Sequence, residues 1–320
     1  MTGAGRASLV ADLKRERETG ATSEGPTDTR ASGDGAIWAA LGAFFLWGVL
    51  PVYWKQFHGV SAWEVIAHRV VWSLAVLWMV LPLRGRMGQY LGALRSVRST
   101  AIYFASGALL SANWLTFVYA VERDRIVEAS LGYFLNPLFS VALGALVLGE
   151  RLRPAQWLAV GLATLGVGVQ VVALGSLPWV SLALAGTFAL YGLLRKQGPL
   201  GALTGLAVET TLMAPAALVF MIWMHGKGAG VFALAGWEER AWAVSTGVVT
   251  TAPLLLFATA ARRLPLSTIG VCQYVAPSLQ LAVGVALYGE PFGGARVAAF
   301  ACIWAGLAVF TADGYRRSRR

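Results

Sequence analysis

Glu64, His68 and Arg69 stand within six residues of one another in "WEVIAHRVVWS", residues 63 to 73, although only 13 % of the chain is charged. On a helix, Glu64 and His68 at i and i+4 share one face, close enough to hydrogen-bond or to share a proton. A buried carboxyl beside an imidazole can take up and release a proton near neutrality, which would suit proton coupling. Arg69, five residues on from Glu64, points about 140° away and needs another partner: a carbonyl, the ring of Trp72 or an anionic substrate. Two readings stand open: a direct role in transport chemistry, or a satisfied polar knot that fixes helix packing.

The elements that position these groups follow from composition. The 320 residues are 57 % hydrophobic, and ordinary globular chains carry about 25 % charged residues, well above this one. Three His and two Cys are too few for a metal cluster or a disulfide framework, so neither metal nor cofactor is expected. Cys272 and Cys302 lie in apolar segments and read as small buried side chains. Residues 1–35 are polar, rich in Gly, Ser and Thr, and are expected to form a disordered cytoplasmic tail and not a signal peptide.

From Ile37 onward, apolar runs repeat at lengths that cross about 30 Å of hydrocarbon. They fall near 37–54, 62–82, 101–121, 127–148, 154–173, 178–194, 203–223, 240–261, 267–288 and 295–312. The expected fold is an all-α membrane protein with ten transmembrane helices. Placing both termini inside puts fourteen Lys and Arg in internal loops and the tail, against six outside. The net charge of +10 therefore reads as cytoplasmic loops and not as nucleic-acid binding. After Arg69 the apolar run Val70–Leu83 holds fourteen residues, about 21 Å of helix, too short to span. Residues 63–69 must then lie inside the bilayer, toward its outer half.

"NPLFSVALGALVLGE" (136–150) matches "APSLQLAVGVALYGE" (276–290) at a shift of 140, pairing Pro137 with Pro277 and Gly149-Glu150 with Gly289-Glu290. The same shift pairs Gly107 with Gly247 and Gly166 with Gly306. "GAFFLWG" (42–48) resembles "GTFALYG" (186–192), and Glu64 falls opposite Glu209. Five helices repeated, residues 36–175 and 176–312, must be inverted, because five is odd; residues 313–320 form a basic cytoplasmic tail. Inverted repeats place a substrate site near the midplane where the copies meet.

Pro137 and Pro277 should kink the fourth and ninth helices and free a carbonyl each. Asn136, Gln273 and Tyr274 beside them, with Asn113 and Trp114 in the third helix and Trp72 in the second, are the candidate substrate contacts. Packing kinks and an Asn113 clamp between helices are the alternative roles. Glu209 reads as capping or packing, Glu150 and Glu290 as turn residues, and Gly161, Ala163, Gly166 and Gly168 as close helix contacts.

The stretches "FFLWGVLPVYWK", "EVIAHRVVWS", "EASLGYFLNPL", "LGERLRPAQWLAV" and "TTAPLLLFATAARRLPLSTIGVCQYVAP" resemble the drug/metabolite transporter superfamily, in its EamA-type branch, and within that the RarD subfamily. The resemblance implies a bacterial inner-membrane permease that moves a small metabolite or drug through the bilayer. It supplies no settled substrate. Gly-x-Ser-x-Gly, His-Glu-x-x-His and paired catalytic Asp motifs are missing from the sequence, so no catalytic residues are expected. A channel or a non-transporting scaffold is the competing class.

Overall fold

The structure is a computed structural model that describes residues 29–148, 152–234, 236–261, 263–264 and 266–318. The tail expected over residues 1–28 and the turn expected at Glu150 lie outside these residues. Helices account for nearly all of the described chain: α1 Thr29–Trp54, α2 Ala62–Leu83, α3 Met87–Arg95, α4 Val97–Glu122, α5 Ile126–Leu148, α6 Pro154–Leu174 and α7 Trp179–Gln197. There follow α8 Ala202–Gly226, α9 Val231–Leu234, α10 Trp237–Ala261, α11 Leu266–Cys272, α12 Val275–Ala282 with a π-turn at Val283–Leu287, and α13 Gly294–Ser318. The chain is all-α among the described residues, as the absence of water in a bilayer demands of an open chain.

Among the described residues, eight helices are long and apolar enough to cross a membrane, and two more apolar segments, Trp179–Arg195 and Val275–Leu287, are shorter. Local signals set their ends. Ser61 accepts the Glu64 amide at 3.3 Å to start α2, and Ser96 accepts the Ser99 amide at 3.4 Å to start α4. Pro154 stands in the first turn of α6, where its missing N–H costs nothing, and Gly175 closes that helix at φ +63°. Large apolar side chains such as Trp38, Phe45, Trp63, Met79, Leu83 and Val172 are exposed, which suits lipid and not water.

The helices run alternately, so the bundle has two ends. One, the terminal end, carries α3, the C-terminus of α13 and the connections α5–α6, α7–α8 and α10–α11. There the Leu200 amide donates to the Tyr103 hydroxyl at 2.9 Å, and Arg153 pairs with Asp313. The other, the distal end, carries the α1–α2, α4–α5, α6–α7, α8–α10 and α12–α13 connections. There Lys55 pairs with Asp124, and the Tyr53 hydroxyl donates to Trp242 O at 2.9 Å and lies 2.7 Å from Ser245 Oγ.

Packing partners come in matched sets. Helix α5 packs on α7 as α12 packs on α1; α10 on α2 as α4 on α8; α4 on α7 as α10 on α1; and α6 pairs with α13. The α6–α13 contact is two-fold at the residue level. A β-carbon at Gly166 would lie 2.7 Å from Ala299 O, and one at Gly306 would lie 2.8 Å from Ala159 O. Gly166 and Gly306 are 140 residues apart, and so are Ala159 and Ala299.

Some expectations need correction. Helix α1 already begins at Thr29 and α13 runs on to Ser318, so the expected tails overlap helices at 29–35 and 313–318. The ninth span is broken at Gln273–Tyr274, and Pro277 is the third residue of the restarted α12. A proline there meets no upstream carbonyl of its own helix and so does not kink it mid-span. Pro137, by contrast, sits inside a continuous α5. Gly161 and Gly168 face open space and mediate no close contact, whereas Gly166 does.

Gly247 tests the closeness of the packing. A β-carbon there would stand 2.5 Å from the backbone of Trp72, so Gly247→Val is expected to destabilise the protein by about 1–3 kcal/mol, the usual cost of overpacking. Gly161→Ala, with nothing within 4 Å, is not expected to destabilise it. Thermal denaturation in detergent compares the two.

Candidate functional site

A cavity of about 470 Å³ lies inside the bundle, lined from α1, α2, α4, α5, α7, α8, α10, α11 and α12 and by Gln273. Aromatic side chains dominate its wall: Phe44, Trp47, Trp114, Phe117, Tyr133, Phe188, Tyr191 and Phe257. Its size suits a small organic molecule. Toward the terminal end it reaches Arg195, Ala202, Leu203 and Ile269. At the distal end a buried cluster including Trp54, Phe57, Val65, Val180 and Val231 closes the bundle.

Arg69 reaches this cavity from α2 and is 4 % exposed. Its guanidinium carbon lies 3.7 Å from the Trp114 ring centroid and 5.3 Å from that of Trp54. Cation–π contact of this kind is worth about 2 kcal/mol when desolvated. A charge at the bilayer centre costs about 2.5–3.5 kcal/mol on insertion scales, so the two rings offset much of that cost. Among the described residues no carboxylate lies within the 4.0 Å of an ion pair with Arg69, and Arg69 Nε has no hydrogen-bond partner.

Amides surround the same space. Asn113 lines the cavity and donates to Leu184 O and Thr187 Oγ1, both at 2.9 Å, which joins α4 to α7 at the cavity wall. Asn136 lines the cavity with its Oδ1 buried and unpartnered. Gln273 and Pro277 line it too. Tyr274 and Pro137 do not: Tyr274 stacks on Phe134, centroids 6.4 Å apart, because the break in the ninth span turns Gln273 inward and Tyr274 toward the α5 and α13 packing.

The Glu64–His68 pair lies outside the cavity wall. Glu64 Oε1 accepts the Val231 amide at 2.5 Å, and a β-carbon at Gly230, φ +90°, would lie 2.7 Å from the same oxygen. Glu64 therefore holds the first turn of α9. His68 Nε2 lies 3.8 Å from Glu64 Oε1, and the Trp72 indole donates to His68 Nδ1 at 3.3 Å. With Nδ1 accepting, the ring carries its proton on Nε2, facing the carboxylate. Trp72 stacks on Phe232. Geometry thus divides the three groups: Arg69 faces the cavity, while Glu64 and His68 lie together outside its wall, with Trp72 bonded to His68.

Sequence reasoning missed a second set at the terminal side. Glu209 is 1 % exposed; it accepts from Ser106 at 2.6 Å and from Tyr191 at 3.4 Å and lies 3.6 Å from Arg195. Arg195 lies over the Tyr103 ring at 5.3 Å and lines the cavity. Its place near a helix end made it a loop charge in the sequence, yet the absence of a β-carbon at Gly205 lets it fold inward: that carbon would stand 1.8 Å from Arg195 Nη1. Gln280 and Thr251 were also missed; both line the cavity. Glu290 is no mere turn residue: its carboxylate accepts the Ile126 and Val127 amides at 2.6 and 2.8 Å.

The EamA-like transporter family matches residues 34–172, and an uncharacterized transporter of Vibrio cholerae is 44 % identical over 280 residues, 88 % of this chain and 93 % of that one. The chain belongs to the EamA-like transporter family. Protein RarD of Streptomyces exfoliatus is 42 % identical over 280 residues, 88 % of this chain and 89 % of its own. Protein RarD of Escherichia coli is 39 % identical over 281 residues, 88 % and 95 %. These relatives place it in the RarD branch of the drug/metabolite transporters, as a multi-pass bacterial membrane protein. A crystal structure sharing 22 % identity aligns with a TM-score of 0.56 over 86 % of this chain and 96 % of its own, a likeness of fold alone.

The Glu64–Val231 contact gives a sharp test. Glu64→Ala strips the Val231 amide of its acceptor, and an unsatisfied buried amide costs about 1–3 kcal/mol; Glu64→Gln keeps an oxygen there. The expected result is a lower melting temperature for the alanine variant, with the glutamine variant close to the parent in both stability and uptake.

Proposed function

We propose that the protein is a secondary carrier, not an enzyme, moving a small organic solute across the bacterial inner membrane by alternating access. In this reading ten helices cross the bilayer, counting α7 and the broken α11–α12 segment, and residues 36–175 and 176–312 are inverted five-helix repeats. The terminal end faces the cytoplasm. The matched packing sets and the two-fold Gly166–Ala299 and Gly306–Ala159 contact support the inversion; the excess of Lys and Arg in terminal-end loops supports the orientation.

One observation carries the reading: the cavity runs from Arg69 toward the terminal end, while the distal end is held shut by polar contacts that join one repeat to the other. Glu64 accepts the Val231 amide, Glu128 accepts the Val180 amide at 3.0 Å, Glu290 accepts the Ile126 and Val127 amides, and Tyr53 bonds Trp242 and Ser245. Each of these contacts crosses between the two repeats. Rocking one repeat against the other would break this set and expose the cavity to the opposite face, which is the motion alternating access needs. The structure corresponds, in this reading, to the inward-facing state.

The proton-coupling role first considered for Glu64 and His68 passes to Glu209. It is a buried carboxylate that lies beside Arg195 and accepts from Tyr191, both of α7, and accepts from Ser106 of α4. Protonating Glu209 would release Arg195, a cavity-lining group, so charge at the carboxylate and solute in the cavity would be linked.

Two experiments follow. Joining Tyr53→Cys to Ser245→Cys with a short bismaleimide should cut proteoliposome flux at least about tenfold while solute binding persists; equal flux before and after linking would sink the alternating-access reading, and unsaturable flux would make the protein a channel. Glu209→Gln is expected to retain exchange at equal pH and lose the acceleration that a proton gradient gives, measured as uptake with and without the gradient.

A further inference from the structure

We infer that the cavity binds an organic carboxylate that also carries an N–H or O–H donor. The inference deepens the carrier reading and rests on it.

The charge comes first. Arg69 is buried to 4 % exposure, faces the cavity, and has an Nε without any partner. Arg195 also lines the cavity and has a buried Nη1 without a partner. Among the described residues the cavity wall holds no Asp or Glu. The one nearby carboxylate, Glu209, lies behind Arg195 and borders a separate small pocket. The cavity thus presents two guanidiniums to a wall with no lining anion; that of Arg195 is paired from behind by Glu209, and an anionic solute supplies the partner that Arg69 lacks. A cation would be repelled by both. Arg's planar fork matches a carboxylate in two parallel hydrogen bonds.

The polar wall then asks for a donor. Gln280 Nε2 donates to Trp47 O at 3.1 Å, which fixes the amide's orientation because a carbonyl can only accept. Gln280 Oε1 is left buried without a partner. Asn136 Oδ1 is buried and unpartnered too, and both residues line the cavity. Two unsatisfied acceptors in the wall of one cavity are met by a solute that donates, not by one that only accepts. Between these groups the wall is aromatic, so the body of the solute is flat and apolar.

Three indoles and one analogue test this on the purified full chain in detergent, by thermal shift and by quenching of tryptophan fluorescence. Indole-3-acetate carries the anion, the ring and the N–H. Neutral 3-methylindole lacks the charge, tryptamine reverses it, and benzofuran-3-acetate lacks the N–H. The expected order places indole-3-acetate first, at least about tenfold tighter than 3-methylindole and tryptamine, as a charged hydrogen bond is worth, with benzofuran-3-acetate weaker than its indole counterpart. Arg69→Gln should erase the advantage of the anion and leave 3-methylindole unchanged. Tryptamine binding as tightly as indole-3-acetate, no binding by any of the four, or an Arg69→Gln variant that keeps the preference would overturn the proposal. Should Arg69→Gln fail to fold, the order measured on the unaltered protein decides alone. Proteoliposome flux separates the two readings. Binding of indole-3-acetate without its transport would defeat the carrier and leave the site standing; saturable tryptamine transport with no anion binding would defeat the site and leave the carrier.

Discussion

A backbone amide buried away from water must find an acceptor inside the protein, and in a bilayer nothing else is available. Along the helices the ladder supplies it. At helix starts it does not, because the first amides of every helix have no upstream carbonyl. The distal end meets this need with carboxylates from elsewhere in the fold: Glu64 serves α9, Glu128 serves α7 and Glu290 serves α5. A negative group at a helix N-terminus is further favoured by the helix dipole. The same contacts that satisfy these amides tie one half of the chain to the other, so the chemistry of capping and the mechanics of closure are one device.

Unsatisfied polar atoms are distributed just as unevenly. Arg69, Asn136, Arg195, Thr251 and Gln280 all hold buried atoms without partners, and all line one cavity. Paired groups such as Asn113 and Glu209 sit at its edge and hold helices together. Buried polar groups are costly to leave unmade, so a cavity wall that holds five of the eleven such atoms among the described residues is a place where a bound solute would satisfy them.

The two halves agree where packing alone matters and differ near the cavity. The contact between α6 and α13 is two-fold to the residue, through Gly166 and Gly306. Around α2 and α8 that equivalence fails: Gly107 rests on Glu209, while Gly247 rests on Trp72. Glu64 is the third residue of α2 and Glu209 the eighth of α8, so the two acids sit at different depths along matched helices despite their alignment. Small residues at a helix crossing tolerate repetition; a site for one solute, approached from two sides, does not require it.

Hydropathy and period fixed much in advance. Apolar runs of bilayer length, Lys and Arg asymmetry, and a repeat at a shift of 140 are properties of the chain as text, since lipid rewards composition and the repeat is written in prolines and glycines. The expectation that residues 63–69 lie within the bilayer rests on length alone, because Val70–Leu83 cannot reach across; that Glu64, His68 and Arg69 are buried within the protein is a matter of tertiary packing. Only tertiary structure decided which of the three faces the cavity. Helical spacing put Glu64 and His68 on one side and Arg69 on another, but not which side met Val231 and which met Trp114; that depends on helices distant in sequence. Arg195 shows the same limit. Its position at a helix end reads as a loop charge, and it turns inward because Gly205, on the next helix, leaves room.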